Sequence, residues 1–595
     1  MIKPNEGRSE SSSLHIAARL QEIAVLLKLK GGRYFQARAY ESAARVVAEL
    51  GDSINSLIRE NRLRSIAGIG EAIARQIEDL HQTGSSWLLE RLRSELPRGA
   101  MELATVPGLS LKKIQQLQNA LGISSIAELK AAAEQGKIST VKGFGVKTEK
   151  KLLEAIGQEP KQRNELHIHK ALRLAEEIVS YLRFAKSVKR VEIAGALRRW
   201  RETTPDLTIV VSTSNPGEVL DHFPGFPMLI RVIHRNTELC VAVLNAGIKV
   251  TLLAVHPSNF AYALLHATGS PAHIGRLNQV AGEKSLVVGP KDFIPRRNTT
   301  LRALNTSLTT EEEIYAELGM QYIPHELRED AGEVEAAIAG NLPEDLVELS
   351  DIRGMVHCHT NYSDGKHTVE EMARGADALG MSYLTITDHS PAAFYAGGLK
   401  EEQLYRQWDE IDYVQEKVRV KLLRGTESDI LASGALDYSD RILDQLDVII
   451  ASIHSRYRID ESQMTERITT AMRQPWFKIW GHALGRLIQH RPPFNCRMEE
   501  ILDAIAESSA AIEINGDPYR LDMPPEWIRE ARKRGIKFVI SSDAHSVNGM
   551  KNLKFGVGIA RRGWVRRGEV LNVLETPLFR KAVKPVNEKL FLPAS

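Results

Sequence analysis

The chain of 595 residues is 43% apolar and 26% charged, with a formal net charge of +3; this excludes wholesale disorder and leaves any nucleic-acid role to local basic patches. Its length exceeds what one hydrophobic core supports and points to about three or four domains. Three scattered cysteines (Cys240, Cys358, Cys496) without a CxxC pair argue against a disulfide framework or thiolate zinc site, and the lack of a signal-like segment or a run of about 18 apolar residues leads us to expect a cytoplasmic protein with no membrane partner.

From Ser13 to about Gly157 apolar residues recur at helical spacing, as in LHIAARLQEIAVLLKLKG and RAYESAARVVAEL. Three glycine turns interrupt them: IAGIGEAIARQI from Ile66, VPGLSLKKIQQL from Val106 and VKGFGVKTEKKL from Val141. Each turn leads into a helix, so its backbone N–H groups can hold a phosphate oxygen. The candidate DNA-binding residues are Gly68, Gly70, Gly108, Gly143 and Gly145, with Lys112, Lys113 and Lys147 adding charge. One such turn reads as an ordinary helix connection; three in succession resemble helix-hairpin-helix elements, which grip the DNA backbone. Ser110 stands where a second glycine is usual, predicting a weaker grip at the second turn. The stretch Ala17 to Gly84, with LLKLKGGRYFQARAYESAARVVAEL, resembles the N-terminal domain of family X DNA polymerases. That resemblance implies a Schiff-base lysine for members with lyase activity. Here Ala72 and Gln76 occupy the candidate positions in EAIARQIEDL, so no lyase of that type is expected.

Strands and helices alternate from about His167 to Ile323. GALRRWRETTPDLTIVV combines a Gly turn, paired arginines and an acid entering a β-run. Two-metal chemistry on a nucleoside triphosphate needs carboxylates on one face of such a strand. The region resembles the palm and fingers of family X polymerases. Gly195, Arg198, Arg199 and Asp206 match that motif, as do Thr268, Gly269 and Ser270 of the nucleotide pocket, whereas Ala196 replaces a serine. Thr208 and Thr251 stand where the resemblance calls for two further aspartates. Neutral hydroxyls substitute poorly for carboxylates on Mg²⁺, so the polymerase reaction is expected to be absent or very weak. A register in which Glu202 or Glu238 supplies a missing acid stays open.

After a polar stretch, seven short β-runs alternate with amphipathic helices, which predicts parallel strands, right-handed crossovers and a barrel. Polar residues just after the strands of such a barrel share a site at its C-terminal mouth. His357, His359, Asp364, His389, Glu427, His454, His482, Asp543 and His545 fall there. Six histidines and three acids without cysteine suit Mn²⁺, Zn²⁺ or Fe²⁺. The segment resembles the PHP (polymerase and histidinol phosphatase) domain. The resemblance implies one metal on His357, His359, Glu427 and Asp543, a second on Glu427, His454 and His482, and a third on Asp364, His389 and His545. Met355 replaces a usual aspartate. Arg456, Arg486 and Arg520, beyond strands four to six, read either as phosphate partners or as rim salt bridges.

From Ala17 to about Leu574, including FGVGIARRGW, the chain resembles a bacterial family X DNA polymerase fused to a PHP domain. The expected fold is multidomain α + α/β. Residues 1–88 form a helical DNA-binding domain, 89–160 a helix-hairpin-helix/fingers region and 161–325 a nucleotidyltransferase-like palm with a following subdomain. A linker (326–350), a PHP-type distorted (β/α)7 barrel (351–580) and a tail (581–595) complete it. The implied function is metal-dependent 3′–5′ exonuclease or phosphodiesterase action, with 3′-phosphatase or abasic-endonuclease variants of it. Two or three divalent ions serve as cofactors, Glu427, Asp543, His359 and Arg486 as catalytic residues. Gapped, nicked or 3′-end DNA is the expected partner and a monomer the expected state. Two rivals remain: a gap-filling polymerase, and a small-molecule phosphatase with a merely structural front half.

Overall fold

The computed structural model describes residues 13–30, 34–50, 53–95, 103, 106, 109–157, 165–244, 247–295, 308–508 and 510–584. The chain divides into two compact units, one of residues 1–166, 173–193 and 205–260, the other of residues 167–172, 194–204 and 261–595. Among the described residues no helix is long and apolar enough to cross a membrane.

The first unit begins with helices α1 (Ser13–Lys30), α2 (Tyr34–Leu50), α3 (Ser53–Arg59), α4 (Glu71–Thr83) and α5 (Trp87–Glu95). Their apolar stripes meet in one core that includes Leu20, Ile23, Val47, Ile77, Leu80 and Leu89. A separate core, with Ile114, Leu117, Leu129, Ile138 and Leu152, joins α6 (Leu111–Leu121), α7 (Ile126–Glu134) and α8 (Val146–Gly157). A five-stranded mixed sheet follows: β1 (Val188–Ala194), β2 (Asp206–Thr213), β3 (Leu229–Arg235), β4 (Leu239–Leu244) and β5 (Lys249–Val255), in the order β1-β2-β5-β4-β3.

In the second unit, residues 326–350 correct the expectation of a linker. They include a helix, Glu333–Ile338, and bury Val334, Ala337, Leu342 and Leu346 in the same core as Tyr262, Leu277, Ile314 and Tyr315. The many acids of this stretch obscure a short apolar pattern that is sufficient to pack.

Seven parallel strands then run in strict sequential order: β6 (Gly354–Met355), β7 (Tyr383–Ile386), β8 (Lys421–Asp429), β9 (Val448–Ser452), β10 (Ile479–Trp480), β11 (Ala511–Asn515) and β12 (Lys537–Ser541). Val448, Ile450, Ile479 and Val539 lie in their common core. At Gly354 a Cβ would come within 2.0 Å of the Tyr383 ring, so only glycine fits there. The first and last strands also meet. The Ala544 amide donates to the His357 carbonyl at 3.0 Å, and the His359 amide donates to the Ala544 carbonyl at 2.9 Å. Further from the mouth, Asn572 performs the same closure with its side chain. Its amide donates to the Gly354 and Ile540 carbonyls at 3.0 and 2.7 Å and accepts from the Ile540 amide at 3.0 Å. Asn572→Ala strands these buried groups and should destabilise the barrel by about 2–4 kcal/mol. Denaturant unfolding followed by tryptophan fluorescence measures this, and an unshifted midpoint would contradict it.

Candidate metal centre

Barrel geometry accounts for the placement of the site. Successive residues of a strand face opposite sides, so His357 and His359 project together while Cys358 between them is buried on the other face. Glu427, on β8, occupies the middle of the cluster. His482 Nε2 lies 2.7 Å from its Oε1 and His454 Nε2 3.2 Å from the same oxygen. His389 Nδ1, His357 Nε2 and His359 Nε2 stand 2.9, 3.5 and 3.6 Å from Oε2. Asp543 Oδ1 is 3.2 Å from His359 Nε2 and 3.5 Å from His357 Nε2. On the outer side, Asp364 Oδ1 lies 3.2 Å from His545 Nε2 and 3.6 Å from His389 Nε2. Two of these residues, Asp543 and His482, have φ of +49° and +23°, backbone states that residues with a Cβ seldom adopt and that concentrate at functional sites.

Burial by itself would raise the pKa of Glu427, but His454, His357, His389 and His482 hold it well below the usual carboxylate range. Asp543 is likewise buried and held low by His357, His359, His545 and Arg520. Burial, reinforced by His545 and His389, pushes His359 down to about 3. Anionic acids thus surround imidazole nitrogens, several of which lack a hydrogen bond: His357 Nε2, both nitrogens of His359 and His389 Nδ1 are all buried. Such a donor set fits divalent cations. Three groups have donor atoms all within 4.8 Å of one another: His359, Asp364, His389 and His545; His357, His359 and Glu427; and His389, Glu427 and His454. His359 and His389 each belong to two groups, so the neighbouring positions share corners more than the implied partition does.

The surrounding residues include several the sequence did not single out. Glu513, fully buried on β11, accepts from His357 Nδ1 at 2.6 Å and from the His482 amide at 2.5 Å. Asp429 lies 3.3 Å from His454 Nδ1. An acid within the apolar run AIEIN was the available signal for Glu513.

The three rim arginines part ways. Arg520 approaches the centre, with Nε 3.3 Å from Asp543 Oδ2 and a buried Nη1 without a hydrogen bond. Arg486, expected to be catalytic, is instead engaged by Glu202 at 2.7 and 3.3 Å and by the Leu521 carbonyl. An opposing carboxylate has taken up the charge that a phosphate would need. Arg456 lines a cleft of about 350 Å³ with Ser433, Gln463 and Arg467, whose lining includes none of the nine candidate ligands.

On the five-stranded sheet, Asp206 pairs with Lys249 across β2 and β5, and Thr208 with Thr251. All four share one face, and Lys249 Nζ lies 3.9 Å from Asp206 Oδ2. Both open substitutes have surroundings of their own. Glu202 is bound to Arg486, and the Glu238 carbonyl accepts from the Ala254 amide while Val241 pairs with Thr251. Alternation along that strand therefore puts Glu238 on the opposite face. In the second unit, Arg198 bonds Thr268 Oγ1 at 2.9 Å and Glu311 at 2.7 and 3.0 Å, and Arg199 bonds the Thr268 carbonyl at 2.7 Å and Glu329 at 2.9 Å. Gly195 begins the helical turn that carries these arginines. Ser270 caps the helix Pro271–Glu283, directly after Gly269.

In the helical region, Gly68 and Gly143 have φ of +89° and +94°, a conformation that favours glycine. Gly70 caps α4, Gly145 immediately precedes α8, and no atom lies within 4 Å of a Cβ built on either. Lys112 and Lys147 are exposed, whereas Lys113 lies 5.9 Å from the Phe144 ring centroid. Ser110 caps α6 by accepting from the Lys113 amide at 3.4 Å. Gly108 lies outside the described residues.

Family models match along the chain in order. A helix-hairpin-helix domain covers residues 13–86, a SAM-like helix-hairpin-helix tandem 100–158, a DNA polymerase beta thumb 263–329 and a PHP domain 356–517. The thumb match covers the later part of the region that resembles palm and fingers in sequence. The chain is 34% identical over 556 residues to the DNA polymerase/3'-5' exonuclease PolX of Bacillus subtilis, covering 93% of this chain and 96% of that protein. Shorter matches, 30% identical over 198 residues and 28% over 214, link it to probable phosphatases of Acetivibrio thermocellus and Caldanaerobacter subterraneus, covering 32% and 33% of this chain and 78% and 77% of theirs. With a polymerase thumb and a PHP domain behind helix-hairpin-helix elements, and a match along nearly its whole length, the chain belongs to the PolX family.

Proposed function

We propose that this protein is a DNA end-processing enzyme, a metal-dependent 3′–5′ exonuclease that acts through the PHP barrel while the polymerase-like half holds DNA. The observation that carries this reading is the contrast between two faces: nine candidate ligands converge on the barrel mouth, whereas the palm-like face offers Asp206 beside Lys249 and two threonines. One relative, matched over 93% of this chain, is named a DNA polymerase/3'-5' exonuclease, and the exonuclease half of that name supports the reading.

Two or three divalent ions held by the nine residues, Mn²⁺ or Zn²⁺ in this reading and Fe²⁺ as a third choice, would supply a nucleophilic water near neutral pH and neutralise phosphoryl charge. The chain's own residues set up that chemistry. Glu513 and Asp429 hold the far nitrogens of His357 and His454, which fixes the imidazole tautomers and ring orientations. Arg520, its Nε beside Asp543, keeps a buried Nη1 without a hydrogen bond, and such a guanidinium can pair with a phosphoryl oxygen. The same centre serves 3′-phosphate removal or incision at an abasic site. The helix-hairpin-helix glycines and Lys112 and Lys147 grip the backbone of gapped or nicked DNA, in a monomer acting in the cytoplasm.

With Mn²⁺, all four dNTPs and a 5′-labelled primer on a gapped duplex, the primer should shorten with the wild type and stay intact with Asp543→Ala. A lengthening primer would overturn the reading of Thr208 and Thr251. Glu513→Gln leaves every proposed ligand in place but weakens the support behind His357; Mn²⁺ affinity should fall about 10–100-fold, as read by equilibrium dialysis, and an unchanged affinity would remove Glu513 from the centre.

A further inference from the structure

The segment from Ser390 to Leu399 leaves the candidate ligand His389 and returns to it. The Leu399 amide donates to the His389 carbonyl at 2.8 Å, and the Ser390 amide to the Glu427 carbonyl at 3.0 Å. At Gly398 a Cβ would lie 2.0 Å from the Ser390 carbonyl oxygen, so the closure requires glycine. A loop fixed this firmly at its base nevertheless carries Phe394 and Tyr395 at its tip, 84% and 62% exposed. Their rings meet edge to face with centroids 6.1 Å apart. Partial burial, followed by the charges of Asp429, Tyr457 and Glu427, pushes Tyr395 above the ordinary phenol range. The loop's base is thus bonded to the backbone of His389 and Glu427 while both rings at its tip face solvent.

The mouth therefore offers two kinds of complementarity side by side: charge in its depth, at Arg520 and the candidate ligands, and flat apolar surface on its lip. A small phosphomonoester uses only the first. A phosphodiester bearing a planar base uses both, and base–aromatic stacking tolerates any sequence.

We propose that Phe394 and Tyr395 form a stacking platform for the terminal nucleobase of a single-stranded 3′ end, setting the adjoining phosphodiester over the Glu427 centre. This inference rests on the exonuclease reading above and names its substrate class. The test compares oligonucleotides ending in a normal 3′ nucleotide or in a 3′ abasic one, with wild type, Phe394→Ala/Tyr395→Ala and Phe394→Trp. Wild type should discriminate against the abasic end by about tenfold in kcat/KM. The double alanine variant should lose that discrimination while binding Mn²⁺ like wild type, and Phe394→Trp should keep it. Two results overturn the platform: discrimination that survives in the double variant, or an equal fall on both oligonucleotides, which marks the loop as mere support for His389. If wild type degrades neither oligonucleotide, the exonuclease reading itself fails and takes the platform with it.

Discussion

Glu427 is the constraint around which the second unit is organised. A fully buried carboxylate is costly unless opposing charge and hydrogen bonds surround it, and five imidazoles from the ends of four barrel strands lie within 3.6 Å of its two oxygens. No two neighbouring strands could assemble such a shell. The parallel register, the closure through Ala544 and the side-chain staple of Asn572 are what bring the first strand beside the last, so that His357 and His359 stand with Asp543. Barrel closure and metal-centre geometry are one structural problem.

The sequence made much of this legible, because the alternation of His357 with His359 and of Asp543 with His545 is a periodic signal at the ends of apolar runs. What it concealed has a common physical cause: pairings between residues far apart in the chain. Arg486 resembles a phosphate ligand until Glu202, 284 positions away, is seen to hold it. Glu513 looks like one more strand residue until it is found behind His357, 156 positions earlier. Residues 326–350 have a linker's composition, yet they bury Val334 and Leu346 because a partner core is present. The glycine turns were easier to read, since the positive φ of Gly68 and Gly143 is a local requirement that one residue type meets.

The two candidate centres differ chiefly in charge. On the palm-like face a lysine stands beside the one remaining carboxylate, and the flanking positions are neutral hydroxyls. A carboxylate near an ammonium presents little net negative charge to a divalent ion, and a second ion would meet repulsion from Lys249. In the barrel, by contrast, Glu427 and Asp543 are buried yet held well below the usual carboxylate range by the surrounding histidines. The sheet and its hydrogen-bond register can persist when such ligands are lost, because their stability resides in Leu207, Ile209, Val250 and Leu252, which are buried. Fold and chemistry are therefore separable on this face.

In the barrel they are not. Replacing one ligand there would leave other buried charges and nitrogens unbalanced, since Asp364, Glu427 and Asp543 each face more than one histidine. Such mutual dependence makes partial decay of the centre destabilising as well as inactivating. The palm-like sheet, whose polar face lies outside its packed core, has no comparable penalty. The asymmetry between an eroded palm face and a complete barrel mouth thus has a physical basis: one site sits on its fold, and the other is built into it.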